Sequence, residues 1–246
     1  MAARAIDEAA LWERLSQSRR VPLEPDWLGE AYSPGLSSSL CSAISEQLGM
    51  LGPRGWPVIE ALIRRHGNRP DLVHAAGLCH QAPARDWLLS QLREKDSDAE
   101  CPDLPLLEAL SCWGAELTLT ELERILEAAP QATRLAGLEL LRFKAHQLNA
   151  HTLLQLCAPA LADWRDPVTI AAIRLLQRRD EPCISDALAG LCRTGSDAAA
   201  AAALKALGCM ATPRSQELLG TLVVELSRPQ RRDLAMRQLQ QQFRNR

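Results

Sequence analysis

The sequence predicts an all-α fold, an α-solenoid of about six helix-turn-helix repeats with capping helices at its ends. One apolar position recurs at spacings of 31 to 35 residues, which is typical of stacked repeats. The residue four positions earlier is small in five of the seven copies, so a neighbouring backbone can approach closely there. A second apolar pair follows four of the copies by twelve and fifteen residues, which predicts two helices per repeat. The recurring anchors are Leu48, Cys79, Leu110, Leu141, Leu176, Leu207 and Leu239.

The composition agrees with this fold class. Apolar residues make up 47% of the 246 residues, enough for a sizeable core, whereas aromatic residues make up only 4%. Leucine and alanine must therefore provide most of the packing. The chain has almost no alternating run of Val, Ile and Thr, the pattern that indicates a half-buried strand. No sheet is predicted.

Two regions are expected along the chain. Residues 1–36 combine an amphipathic helix over 5–20 with a connector rich in Pro and Gly, and we expect this region to cap the first repeat. Trp27 and Tyr32 lie in the connector, where the alternative role is docking to a partner. Residues 37–246 form the repeat array. The predicted units are 37–67, 70–94, 103–129, 132–161, 167–193 and 197–226, followed by a final helix at 229–243.

The repeat period is broken once. Leu141 and Leu176 are 35 residues apart, and the extra residues fall around positions 159–166. Pro159 lies inside a predicted helix, where proline removes a backbone hydrogen bond and clashes with the preceding turn. We predict a kink or an early helix end there, and this break is one place to look for function.

Charge and cysteine usage restrict the partners and the compartment. The formal net charge is −2 and the pI is near 6.2, less basic than non-specific nucleic-acid binding usually requires. Asp7 and Glu8 argue against a signal or transit peptide, and no uncharged stretch approaches the ~20 residues of a membrane span. The eight cysteines are scattered without a C-x-x-C pair, as in a reducing compartment. We expect a cytoplasmic protein with structural thiols, no nucleic-acid partner and no membrane partner.

Two stretches resemble a known repeat family. LGMLGPRGWPVIEAL, from Leu48 to Leu62, and ALKALG, from Ala203 to Gly208, resemble HEAT repeats, and the short period is similar to the phycobilisome-lyase-like variety. The resemblance covers about residues 37–245. It implies a right-handed α-solenoid whose second helices line the concave side. Family members are mostly protein–protein scaffolds, and one branch attaches or detaches bilins on phycobiliprotein cysteines. Many family repeats carry an Asp and an Arg at the turn between units, which this chain matches poorly.

Motifs for catalysis or metal binding are missing from the sequence. HEAT-type di-iron hydroxylases resemble this fold but use His-Glu pairs as iron ligands, and none of the five histidines here precedes a glutamate. Cys79 and His80 are adjacent, and two neighbours on a helix point to different faces. There is no Walker-type phosphate loop and no nucleophile motif. We predict no catalytic residue and no metal site.

Charged residues are unevenly distributed along the chain. Ten acidic and two basic residues lie between Glu94 and Glu127, which opposes the DNA-cradling use of HEAT-like folds in some glycosylases. Six arginines and one aspartate lie between Arg228 and Arg246. The two stretches suggest contact surfaces of opposite charge, which steer the encounter with a partner. The alternative is that both are solvated faces.

Ten residues are predicted to contact a partner. Most belong to the second helices, which the resemblance places on the concave side, and two belong to the arginine-rich C-terminal stretch. Trp and Arg dominate binding energy at protein interfaces. The alternative for the tryptophans is packing between repeats. The candidates are Trp56, Arg64, Arg65, Arg85, Trp87, Arg124, His151, Arg193, Arg231 and Arg232.

The expected function is a non-enzymatic scaffold or adaptor that binds a protein along the concave face and uses no cofactor. A helical subunit or a second HEAT-like protein is the expected partner. The resemblance supplies the alternative, a phycobilin lyase or bilin chaperone subunit acting on phycobiliproteins, with a bilin tetrapyrrole as its ligand. If the chain is an enzyme, this is the activity expected.

Overall fold

Helices are the regular elements of this protein. A computed structural model describes residues 7–94, 103–114 and 117–244, and these ranges contain helices and turns but no strand. The all-α prediction is confirmed. The chain divides into two compact units, residues 1–115 and 116–246. None of the described helices is long and apolar enough to cross a membrane.

The first unit contains the seven helices α1 to α7. The first helices of successive predicted pairs, α3, α5 and α7, pack side by side, and α4 and α6 pack against them. The second helix predicted for the pair at 103–129 belongs to the other compact unit. The bounds are α1 Glu8–Ser16, α2 Pro25–Ala31, α3 Ser38–Met50, α4 Trp56–His66, α5 Pro70–Leu78, α6 Ala82–Glu94 and α7 Leu104–Trp113.

The second unit contains the helices α8 to α15 in two layers. One layer is α8, α10, α12 and α14, and the other is α9, α11, α13 and α15. Between the layers, each of α8, α10, α12 and α14 packs closely against the helix that follows it, so this pairing is offset by one helix from the predicted units. The bounds are α8 Leu119–Glu127, α9 Gln131–Lys144, α10 Ala150–Leu161, α11 Asp166–Leu176, α12 Pro182–Thr194, α13 Asp197–Met210, α14 Pro213–Glu225 and α15 Pro229–Arg244.

The recurring anchors form the cores of both units. The six anchors from Leu48 to Leu207 are buried, whereas Leu239 in α15 is half-buried. Neighbouring first helices approach closely because small residues face each other. A Cβ atom on Gly77 would lie 2.5 Å from the carbonyl oxygen of Ala109, so α5 and α7 make backbone contact that no larger residue allows.

The helix starts follow ordinary capping chemistry. At the start of α8, the amide of Thr118 donates to Glu121 Oε2 at 2.6 Å and the amide of Glu121 donates to Thr118 Oγ1 at 3.2 Å. This reciprocal pair is a capping box. Proline occupies the first turn of nine described α-helices, where its missing N–H costs no hydrogen bond.

Two local predictions differ from the structure. The connector at 21–36 contains a helix, α2, which begins at Pro25 and buries Leu28, so its proline starts a helix instead of preventing one. The helix α10 runs past Pro159 to Leu161 without ending at the proline. The first helix is predicted to begin at Ala5, which lies outside the described residues, and its described part is Glu8–Ser16. Cys101, one of the eight cysteines predicted to be structural, also lies outside the described residues.

Candidate partner-binding surfaces

The two predicted tryptophans of the first unit contact each other. The ring centroids of Trp56 and Trp87 lie 6.2 Å apart with their planes at 48°, a tilted geometry that aromatic pairs favour. Trp56, the first residue of α4, is buried, whereas Trp87 in α6 is half-buried. Trp56 therefore packs between helices, as the alternative interpretation held. Of the two rings, Trp87 is the one that offers surface to a partner.

The predicted arginines of the first unit differ in accessibility. Arg64 and Arg65 are exposed in the last turn of α4, where a cation interacts favourably with the helix dipole. Arg85 is half-buried in α6, and its guanidinium carbon lies 5.7 Å from the ring centroid of Trp113. Arg64 and Arg65 are therefore open to a partner, whereas Arg85 is already engaged with an aromatic ring.

The remaining predicted residues lie in the second unit. His151 in α10, Arg193 in α12 and Arg232 in α15 are exposed, and Arg124 in α8 is half-buried. Arg193 forms an exposed ion pair with Glu225 at 2.9 Å, a contact of small energetic value. The structure places these four residues on four different helices.

Arg231 is a buried structural residue, which corrects its prediction as a partner contact. It is 7% exposed. Its guanidinium donates to the carbonyl oxygens of Cys192 at 3.1 Å and Gly195 at 2.8 Å, and it pairs with Asp197 at 2.7 Å. The last carbonyls of a helix have no partner within the helix. Arg231 therefore satisfies the C-terminal end of α12, and its hydrogen bond holds the pKa of Asp197 below its usual value.

Asp163 and the two arginines that pair with it, Arg134 and Arg165, hold the turn between α10 and α11. We call this group the arginine lock. The side chain of Asp163 is 1% exposed and accepts from Arg134 at 2.8 Å and from Arg165 at 2.7 Å. Arg134 also donates to the carbonyl of Ala128 at 2.6 Å, and Arg165 to that of Ala129 at 2.9 Å. The hydrogen bonds from Arg165 hold the pKa of Asp163 well below its usual range. This turn therefore contains an Asp–Arg contact.

Trp164 lies between the two locked residues of this turn and points to solvent. Its side chain is 87% exposed, although Asp163 before it and Arg165 after it are held by ion pairs. The guanidinium carbon of Arg165 lies 5.7 Å from the indole centroid, within cation–π range. The sequence break at 159–166 thus presents an aromatic side chain on a fixed turn. Sequence reasoning identified the break but did not select this residue.

A buried polar cluster joins the end of α2 to α5 in the first unit. The hydroxyl of Tyr32 donates to Asp71 Oδ2 at 2.6 Å, and Arg69 Nε donates to the Tyr32 oxygen at 2.9 Å. Burial and the Asp71 carboxylate raise the pKa of Tyr32. Burial also raises the pKa of the neighbouring Cys41 thiol. Both groups stay protonated near neutral pH, so the cluster fastens the connector and does not supply a nucleophile.

Three further thiols follow the same pattern. Burial raises the pKa values of Cys79, Cys157 and Cys192 to about 12, which makes them unreactive near neutral pH. Cys209 at the end of α13 is exposed. Within the described part of the chain, no group of three or more His, Cys, Asp or Glu side chains is placed to hold a metal ion.

Two adjoining cavities in the second unit form a surface that the sequence did not reveal. One, of about 240 Å³, lies between α9 and α11, and the other, of about 380 Å³, lies between α11 and α13. Arg174 and Arg178 line both cavities, Arg142 lines the first, and Lys205 lines the second. We call this surface the basic groove. Its floor consists of Leu135, Leu138, Leu175, Ile170, Ile173, Ala171, Ala198, Ala201 and Ala202.

Fold and surface together define an all-α protein of repeated helices with exposed polar and aromatic side chains. No protein-family model matches the chain, and the curated proteins contain no match. The chain is similar to the structure of human deoxyhypusine hydroxylase in complex with glycerol, with 14% identity, a TM-score of 0.43 and coverage of 96% of this chain and 91% of that chain. Similarity at this level carries no conclusion about activity. The bilin alternative, the absence of a nucleic-acid partner and the cytoplasmic location stay predictions.

Proposed function

We propose that the chain is a non-enzymatic protein-interaction scaffold and that Trp164 is a contact point for its partner. The observation that carries this proposal is the 87% exposure of Trp164 on a turn that ion pairs hold on both sides. A single exposed apolar residue is common on protein surfaces and needs no partner in itself. The lock around Trp164 distinguishes it, because a fixed turn presents the ring in one place.

Trp164 carries apolar surface that no part of the free protein covers. Covering a tryptophan ring removes about 150–250 Å² from water, which at about 25 cal/mol per Å² corresponds to roughly 4–6 kcal/mol. Most of this surface on Trp164 faces solvent in the free protein. A partner that covers it gains this energy without ordering a loop, because the turn is already immobilised. Tryptophan is also among the residues most enriched at interface hot spots.

The chemistry of the described residues favours binding over catalysis. The buried thiols and Tyr32 have raised pKa values, so they are poor nucleophiles near neutral pH. The accessible polar residues on second helices, Arg64 and Arg65, can contribute charge to a binding surface, as can the half-buried ring of Trp87. We expect the partner to be a protein with an apolar pocket for the indole, such as a helical subunit or a second helical-repeat protein.

Photo-crosslinking tests the proposal directly. The protein is prepared with benzoylphenylalanine in place of Trp164, irradiated in an extract of the source cells, and the crosslinked species are identified by mass spectrometry. The matched control carries the same group at Val224, which is 85% exposed in the same unit. We expect one protein to crosslink at position 164 and not at position 224.

The identified protein is then purified and its affinity measured. Trp164→Ala should weaken binding by about thirtyfold, equivalent to about 2 kcal/mol, whereas Val224→Ala should leave affinity unchanged. Because the ring is exposed, Trp164→Ala should melt at the wild-type temperature. Equal crosslinking at both positions, or an affinity of Trp164→Ala within twofold of wild type, would refute the proposal.

A further inference from the structure

We propose that the basic groove binds an acidic, amphipathic helical segment of a partner protein. This inference rests on the proposed protein-binding function but concerns a surface that does not include Trp164. Three of the cations that line the groove have charges that no described ion pair neutralises. Among the described residues, no carboxylate forms an ion pair with Arg174, Arg178 or Lys205, and all three side chains are exposed.

The groove contrasts with the rest of the molecule. The chain as a whole carries a net charge of −2, yet four of the residues lining the two cavities are cations. Glu139 is the one carboxylate among the lining residues, and it pairs with Arg142 on the same helix. Several other exposed arginines of this unit are paired with acids, as Arg193 is with Glu225 and Arg214 with Asp186. A surface of unmatched cations attracts a partner of opposite charge.

The shape and floor of the groove indicate a helix. The residues of α11 and of the turn after it that line the groove run from Ile170 to Arg178, so at 1.5 Å per residue the groove follows them for about 12 Å, a little over two turns of helix. The floor between α11 and α13 is made of Ala198, Ala201 and Ala202, which let a neighbouring backbone approach. An amphipathic helix can place its small apolar residues on this floor and its carboxylates beside Arg174 and Arg178.

Nucleic acid fits this surface less well. Recognition of single strands combines a basic track with aromatic side chains on which bases stack. The residues that line both cavities are aliphatic, alanine or polar, and none is aromatic. An apolar floor with Arg174 on α11, Arg178 in the turn after it and a single cation on each neighbouring helix suits carboxylates carried on a helix.

Fluorescence anisotropy with a defined probe tests this inference. The probe is a fluorescein-labelled 16-residue helical peptide with glutamates four residues apart on one face and alanines on the other. We expect the full chain to bind it at 50 mM NaCl with a dissociation constant of about 10–100 µM, and binding to weaken at 200 mM NaCl as screening increases. The same peptide with glutamine in place of glutamate should not bind.

Charge reversal in the groove supplies the decisive comparison. Arg174→Glu combined with Arg178→Glu should weaken binding at least tenfold. The matched control is Arg64→Glu combined with Arg65→Glu, which changes the net charge by the same amount on exposed residues of the other unit and should have little effect. The Trp164→Ala variant should bind the probe as wild type does. Failure of the proposal for the basic groove can therefore be distinguished from failure of the proposal for Trp164. Unchanged circular dichroism establishes that the variants fold.

Four outcomes would overturn the assignment. Absence of binding below 100 µM would do so, as would equal losses in the two double variants, because the effect would then reflect net charge alone. Tighter binding of a single-stranded DNA 16-mer than of the peptide would assign the groove to nucleic acid. Self-association in light scattering that disappears in the Arg174→Glu, Arg178→Glu variant would assign it to a second copy of this chain.

Discussion

Replacing Asp163 with asparagine removes the charge at the centre of the lock between α10 and α11 while keeping the side chain's size. The carboxylate is 1% exposed, and the guanidinium groups of Arg134 and Arg165 pair with it at 2.8 and 2.7 Å. Breaking a buried ion pair typically costs 3–5 kcal/mol. Both arginines keep hydrogen bonds to carbonyls, so we expect the lower end, about 3 kcal/mol, and a melting temperature lower by roughly 6–12 °C.

Thermal unfolding followed by circular dichroism at neutral pH measures this loss. The matched control is Asp186→Asn, because Asp186 pairs with Arg214 at 2.7 Å but both side chains are substantially exposed. That pair should contribute at most about 1 kcal/mol. Equal shifts in the two variants would show that the lock at Asp163 contributes no more than a surface pair, and the reasoning from burial would be refuted.

The pH dependence provides a second readout for the same residue. The folded-state pKa of Asp163 is lowered, so the stability that it contributes is present above the unfolded value of about 3.9 and is lost as pH falls through the folded value. The difference in stability between wild type and Asp163→Asn should therefore be constant from pH 7 to about pH 5 and shrink below about pH 4. A difference that grows on acidification would contradict the assignment.

Two further predictions concern packing and thiol chemistry. Gly77→Ala should destabilise the protein by about 1–3 kcal/mol in urea unfolding because its Cβ would contact a backbone carbonyl, whereas Gly190→Ala, which meets nothing within 4 Å, should stabilise it by up to about 1 kcal/mol. Similar effects of both would mean that α5 and α7 are not in backbone contact. Iodoacetamide at pH 8 should label exposed Cys209 before Cys157, whose pKa burial raises to about 12. Equal labelling rates would contradict the burial of Cys157.

The parts of the fold that depend on local periodicity could be predicted from the sequence. Leu48, Leu141 and Leu207 are buried because an apolar residue at a fixed point of each repeat meets the same neighbours in every copy. The capping box at Thr118 was also readable, because it involves residues three apart. The helix at Pro25–Ala31 was missed because its proline and glycine read as loop residues, whereas burial of Leu28 stabilises it.

The contacts that define the surfaces could not be predicted in this way. Arg231 read as a surface cation because its neighbours are charged, yet its partners are carbonyls 36 to 39 residues earlier in the chain. Asp163 and Arg134 are 29 residues apart on different helices. The basic groove combines residues from three helices, so no short pattern contains it. Only the packing of the helices brings such residues together.

The reach of Arg231 has a consequence for the order in which this protein can be completed during synthesis. The carbonyl of Cys192 receives its hydrogen bond from a residue made 39 positions later, so this bond cannot form until all of α13 and α14 and the start of α15 have been translated. A nascent chain that stops short of Arg231 lacks the side chain that caps the end of α12, and α15 supplies that side chain.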